Sequence, residues 1–137
     1  MKGLEPNEQG QLAALDKALR FARAELSPDV TAQRLLILLC VFFNQGLSQR
    51  ELLGKLDSTS ITALSRNLAD LSAWTTRKTE GPGLIELRAD PMNLRIKRVY
   101  LTKTGLRFVR RWVKAAAKAA PAAADRARAG RVAGRTK

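Results

Sequence analysis

Thr59, Ser60, Thr62, Ala63, Arg66 and Asn67 gather hydroxyls, a guanidinium, an amide and one small methyl within nine residues. The apolar spacing of Ile61, Leu64, Leu68 and Leu71 marks this stretch as a helix whose other face is small and polar. Further on, Arg95, Lys97 and Arg98 form a compact cationic group. Side chains of these types form hydrogen bonds and hold fixed positive charge, but they do not activate a nucleophile. The chain contains no His, which removes the commonest general base and the commonest metal ligand. Its single Cys, Cys40, excludes an intramolecular disulfide and any Cys-based zinc site. That residue sits in the apolar run Leu35 to Phe43, where a reduced core side chain is expected rather than a reactive thiol. Glu80, Glu86 and Asp90 are the clustered carboxylates near the cationic group, and their spacing suggests surface acids, not a metal pair. No catalytic residue, metal or cofactor is expected.

The chemistry on offer suits a polyanion. The 137 residues carry 25 Lys or Arg against 12 Asp or Glu, a net charge of +13. The excess is unevenly spread: residues 1–57 are neutral, 58–102 carry +3 and 103–137 carry +10. From residue 121 onward the chain is mostly Ala, Arg and Gly, which predicts a disordered basic tail over 121–137 that attracts phosphate without regard to sequence. The six-residue polar set suits a helix lying in the DNA major groove, with Arg66 reaching guanine and Asn67 adenine. Arg95 on a hairpin suits a narrow minor groove, and Lys97 and Arg98 suit phosphates. Taken singly, each feature is equally well a solvated surface. Together with the charge and the element order they point to double-stranded DNA.

The elements that must position these groups follow from spacing. Leu12, Leu15, Leu19, Ala22 and Leu26 predict an amphipathic helix over residues 11–26, after a flexible N-terminus over 1–10. Thr31 to Asn44 predicts a second helix, ended by Gly46 and apolar all round, hence the buried centre of the domain. Ser48 and Glu51 match a capping box for a short helix to about Leu56. Asp57-Ser58 supplies a turn and the cap of the polar-faced helix from about Thr59. Residues 84–88 and 97–101 predict two strands, with Ile85 and Leu87 facing Val99 and Leu101 and a loop between them. Thr102 caps a last helix bearing Leu106, Val109 and Val113, with Phe108 and Trp112 on a second stripe. Trp74 and Trp112 are expected to serve packing or subunit contact. The fold class is mainly α with a small β-hairpin (α+β), a single winged helix-turn-helix domain over 11–120 with flanking N- and C-terminal helices.

The stretch from Asp90 through Arg95 to Leu101-Thr102-Lys103-Thr104-Gly105 resembles the wing of the MarR family of bacterial transcriptional regulators. Ser60-Ile61-Thr62 with Leu64 and Leu68 looks like that family's recognition helix. The likeness covers about residues 31–112. It departs from the family at the wing tip, where Asn93 stands for an Asp and Leu94 for an Arg, and in a longer stretch Ser72 to Gly83. The resemblance implies a homodimer whose first and last helices pack across a two-fold axis through Leu12, Leu15, Leu19, Leu26, Leu106, Val109 and Val113. It implies a sequence-specific DNA-binding regulator, most simply a repressor. Two alternatives stay open: an architectural or replication-associated DNA-binding protein with little sequence choice, and an adaptor whose basic end docks on an acidic protein. The longest apolar run, nine residues, is too short to span a bilayer, and no signal-like stretch opens the chain, so a cytoplasmic location is expected. No polar cluster marks a small-molecule pocket, so an effector is left unassigned.

Overall fold

The structure, a computed structural model, describes residues 3–119; the basic tail over 121–137 lies outside the described residues. The described residues form two compact units, one spanning Asp29–Phe108 and one made from the segments up to Pro28 and from Val109 to Ala119.

In the second of these units, helix α1 spans Pro6–Glu25. It starts five residues before the expected Gln11, because Pro6 takes the first helical position and the Glu8 carboxylate accepts the Glu5 backbone N–H at 2.8 Å. Residues 6–10, expected to be flexible, are therefore helical. Helix α5, Lys103–Ala119, contributes its later turns to this unit. There the Trp112 indole N–H donates to the Ala18 carbonyl at 2.8 Å, and Arg111 pairs with Glu25 at 2.6 Å while lying over the Phe21 ring. Trp112 is thus a packing residue.

In the unit Asp29–Phe108, α2 spans Ala32–Phe43, and the Thr31 hydroxyl caps it by accepting the Arg34 N–H. Leu35, Ile37, Leu38 and Val41 enter the core, but Leu36 and Phe43 are exposed and Cys40 is half-buried. The expectation of an entirely buried helix is corrected here. A helix presents every azimuth, and this unit packs on one side of it. Short α3, Gln49–Leu53, carries the expected capping box of Ser48 and Glu51. Helix α4 spans Ile61–Leu71, packs against α3 and buries Leu64, Leu68 and Leu71, as α3 buries Leu52.

Strands β1, Ile85–Asp90, and β2, Asn93–Leu101, pair antiparallel, with Ile85 opposite Leu101 and Leu87 opposite Val99 as expected. The turn between them is only Pro91-Met92, not the longer expected loop; Leu94 and Ile96 alternate with Asn93, Arg95 and Lys97 as the outer part of β2. A short segment before α3 adds to the hairpin. The Gly46 N–H donates to the Val99 carbonyl at 2.8 Å, and the Val99 N–H donates to Leu47 at 2.9 Å. Thr102 begins α5 by accepting the Gly105 N–H and donating to the Gly83 carbonyl.

Three carboxylates in this unit sit below their ordinary values. Glu51 is lowered chiefly by its bonds with Ser48 and then by Arg98, and Asp90 by the Met92 N–H and then by Arg98. Burial is the largest influence on Asp70 and acts upward, but the bonds from Thr76 and Arg34 together outweigh it. A carboxylate with a depressed folded pKa takes up its proton more readily in the unfolded chain. Its stabilisation is complete above the ordinary value, 4.5 for Glu and 3.8 for Asp, and drains away as pH falls through the lower folded value. The melting temperature should accordingly be steady down to about pH 5 and decline below it. Glu51→Gln with Asp70→Asn and Asp90→Asn should flatten that decline, and thermal denaturation monitored by circular dichroism at stepped pH checks both statements.

Candidate nucleic-acid interface

The tilt of α4 is fixed from α2. The Arg34 guanidinium donates to Asn67 Oδ1 at 2.8 Å and to Asp70 Oδ2 at 2.8 Å. The Asn67 amide in turn donates to the Ala63 carbonyl at 2.8 Å and to Gln33 at 3.3 Å. Asn67 is therefore buried with both amide atoms engaged, and the expectation that it reads adenine is corrected. Ser60 is not a helical residue but the N-cap, its hydroxyl accepting the Ala63 N–H at 3.0 Å. Thr59 precedes the cap and donates to the Asp57 carbonyl at 3.2 Å. It lines a separate groove of about 510 Å³ with Leu36, Cys40 and Lys55, away from the outer face of α4. Burial pushes the Cys40 thiol above its ordinary value, and the residue is half-exposed where a core position was expected.

What α4 leaves open to solvent is Ile61, Thr62, Ser65 and Arg66. Ser65 escaped the sequence reading, although it lies three residues beyond Thr62 on the same face. Two concave surfaces meet along this edge. One, about 420 Å³, is lined by Ser48, Gln49, Arg50, Ile61, Arg95, Ile96 and Lys97. The other, also about 420 Å³, is lined by Gln49, Ile61, Thr62, Ser65, Arg66, Ala69 and Thr76. Gln49 and Ile61 belong to both, so the hairpin, the start of α3 and the open face of α4 border one continuous strip. Gln49 and Arg50 were also missed, since a position in the first turn of a short helix gives no periodic signal.

On the hairpin, Arg95 and Lys97 are exposed, whereas Arg98 is turned inward. The Arg98 guanidinium pairs with Asp90 at 2.9 Å, donates to the Gly46 carbonyl at 2.9 Å and reaches Glu51 at 3.5 Å. It clips the hairpin to the segment before α3 and is not free to lie along a phosphate, so its expected role is corrected. The strip keeps Arg50, Arg66, Arg95 and Lys97 as its cations.

No protein-family profile matches the sequence, and no curated protein sequence matches it. Solved structures do. A transcriptional repressor, CouR, bound to a 23-mer DNA duplex aligns over 81% of this chain and 70% of its own at a TM-score of 0.58 and 22% identity. A complex of S. aureus MepR with DNA aligns over 88% and 89% at 0.57 and 22%. A MarR transcriptional regulator from Methanosarcina mazei Go1 aligns over 85% and 72% at 0.53 and 17%. The fold is the MarR-type winged helix. At these identities the likeness is one of fold, in which the hairpin is the wing and α4 the second helix of the helix-turn-helix. Two residues divide the polar contacts at the tip of this MarR-type wing. Asn93 Oδ1 accepts the Arg95 backbone N–H at 3.2 Å, while Asp90 takes the ion pair, with Arg98.

Proposed function

We propose that this protein is a dimeric, sequence-specific double-stranded DNA-binding transcriptional regulator of the cytoplasm, a repressor and not an enzyme. The observation that carries the reading is the continuous strip joining Arg95 and Lys97 of the wing to Thr62, Ser65 and Arg66 of α4 through Gln49 and Ile61. Thr62, Ser65 and Arg66 present the donors and acceptors that read base edges in a major groove, and Arg95 the cation that a narrow minor groove attracts. Arg50 and Lys97 lie along phosphates. The DNA named in the CouR and MepR structures belongs to those proteins, and it supports the same kind of partner for this strip. No helix among the described residues is long and apolar enough to cross a membrane.

The dimer rests on apolar residues that the chain leaves in solvent. Leu12, Leu15 and Leu19 are 46%, 61% and 53% exposed along one side of α1, and Val113 of α5 is 62% exposed. Leu106 is also open and Leu26 half-buried, whereas Val109 is buried and is withdrawn from the expected subunit contact. A second copy covering these residues presents two α4 helices to half-sites about one DNA turn apart. Selection from a random duplex pool tests the reading. A regulator should enrich a pseudo-palindrome and favour it by ~10³ or more over random DNA. Light scattering at tens of micromolar should give twice the chain mass. Equal affinity for all duplexes would instead identify an architectural binder, drawing on the +13 net charge.

A further inference from the structure

We infer that the turn at Thr75–Thr79 is a second phosphate-gripping point, which places Arg77 and Lys78 on the DNA backbone beside the α4 contact. The inference rests on the DNA-binding reading and extends it to a segment that neither the helix nor the wing accounts for.

The segment between α4 and β1 is built, not loose. The Thr75 N–H donates to the Thr79 carbonyl at 2.9 Å, and the Lys78 N–H donates back to Thr75 at 3.0 Å. The two threonine hydroxyls meet at 2.7 Å across the same turn. Trp74 and Glu80 form an isolated antiparallel bridge below it, and the Gly81 N–H donates to the Ala73 carbonyl at 2.9 Å. Lys78 holds a left-handed φ of 60°, a conformation that costs energy for a residue with a Cβ and is sustained here by those flanking bonds. The turn is also stitched to α4: Asp70 Oδ1 accepts both the Thr76 N–H at 2.9 Å and the Thr76 hydroxyl at 2.8 Å. The other oxygen of Asp70 is taken by Arg34, so one carboxylate holds the helix to α2 and the turn to the helix.

The turn therefore has a fixed position relative to the reading face. Thr76 lines the same concave surface as Thr62, Ser65 and Arg66, and the next two residues, Arg77 and Lys78, are exposed. A duplex seated along Thr62 and Arg66 would bring its backbone past this end of the groove, where two cations project from a pre-ordered turn. Glu80 is the one carboxylate in the turn and its stem that the Arg34 and Thr76 bonds leave out, so the tip keeps a net positive charge. A preorganised cation loses less freedom on binding than one on a floppy loop, and phosphate contacts fix register without reading bases.

The test uses the full chain and its selected operator, with Arg77→Ala/Lys78→Ala compared against Lys17→Ala/Arg20→Ala, which removes the same charge from α1. The turn variant should keep the wild-type melting temperature and the same base preference. It should bind every duplex about tenfold or more weakly, with the log–log salt slope lower by about two per protomer bound. The α1 variant should leave the slope nearly unchanged. Gly81→Ala keeps both cations but drives a new Cβ into the Ser72 carbonyl, displacing the turn, and should lose a similar share of affinity. In the wild-type complex Trp74, 61% exposed when free, should become less accessible to acrylamide, with Trp112 already buried. An unchanged affinity and slope in the turn variant overturns the inference while leaving the DNA-binding reading intact, as does an altered base preference. A wild-type chain that binds no duplex overturns the reading itself, and the inference with it.

Discussion

A Gly105→Ala chain should lose about 3 kcal/mol of stability or more, with a drop in melting temperature on the order of 10 °C. Gly105 lies in the first turn of α5, where the helix crosses the Leu84 backbone so closely that an added Cβ would collide with the Leu84 carbonyl and press on the Leu101 side chain. The carbonyl has nowhere to go. It accepts the Thr102 N–H at 2.9 Å, and the Leu84 N–H donates to Leu71, the last residue of α4, at 2.8 Å. Moving Leu84 would therefore disturb the end of α4, the base of β1 and the start of α5 together. Two effects compete. Alanine is the better helix former by about 1 kcal/mol, but a backbone collision in a packed site costs more than that, so sterics decides the sign. Gly54→Ala is the matched control, since its new Cβ would meet nothing nearer than 3.4 Å. Calorimetry on both variants checks the claim, and an unchanged or higher melting temperature for Gly105→Ala would contradict it.

The second large effect falls on DNA. Arg66→Ala should weaken binding to the selected operator by roughly 30-fold to 10⁴-fold, because a good bidentate contact contributes about 1–3 kcal/mol and a dimer makes it twice. Binding to random duplexes should change little by comparison, and base choice should relax at one position in each half-site. Arg66 is suited to this role because it is exposed on the groove shared with Thr62 and Ser65. Asn67→Ala makes the contrast sharp. Asn67 neighbours Arg66 in the sequence but is buried against Arg34, Gln33 and Ala63, so its loss should lower the melting temperature while the enriched bases stay the same. Parallel selections on the two variants decide the matter. Should Asn67→Ala change the bases enriched and Arg66→Ala leave them alone, the two residues have been placed on the wrong faces.

That contrast also shows what the sequence could and could not reveal. The core stripe Leu64, Leu68, Leu71 was plain from spacing, and Asn67 lies on it, three residues after Leu64 and four before Leu71. Position therefore pointed inward while residue type pointed outward, and the buried partner Arg34, distant in sequence, was invisible. The capping box at Ser48 and the pairing of Ile85 and Leu87 with Leu101 and Val99 were legible because both depend on local patterns. Arg98 was not, since the hairpin turn that brings Asp90 against it was hidden, and its other partners, Gly46 and Glu51, come from a distant part of the chain. The start of α1 was written in Pro6 and Glu8, yet the polar run after them carries no apolar period. Ser65 was legible from helical spacing with Thr62, whereas Gln49 and Thr76 joined the interface only once the fold brought their elements side by side.

The bonds that set the angle of α4 have a consequence for how ionic strength acts on this protein. Arg34, Asn67 and Asp70 meet in a partly sheltered place through short, direct hydrogen bonds, whereas Arg50, Arg66, Arg95 and Lys97 stand in open solvent. Mobile ions screen the second set strongly and the first weakly. Under the proposed function, salt therefore changes how often the protein stays on DNA, while α4 keeps its pose. Fidelity and occupancy are separate dials, and only occupancy turns with the salt.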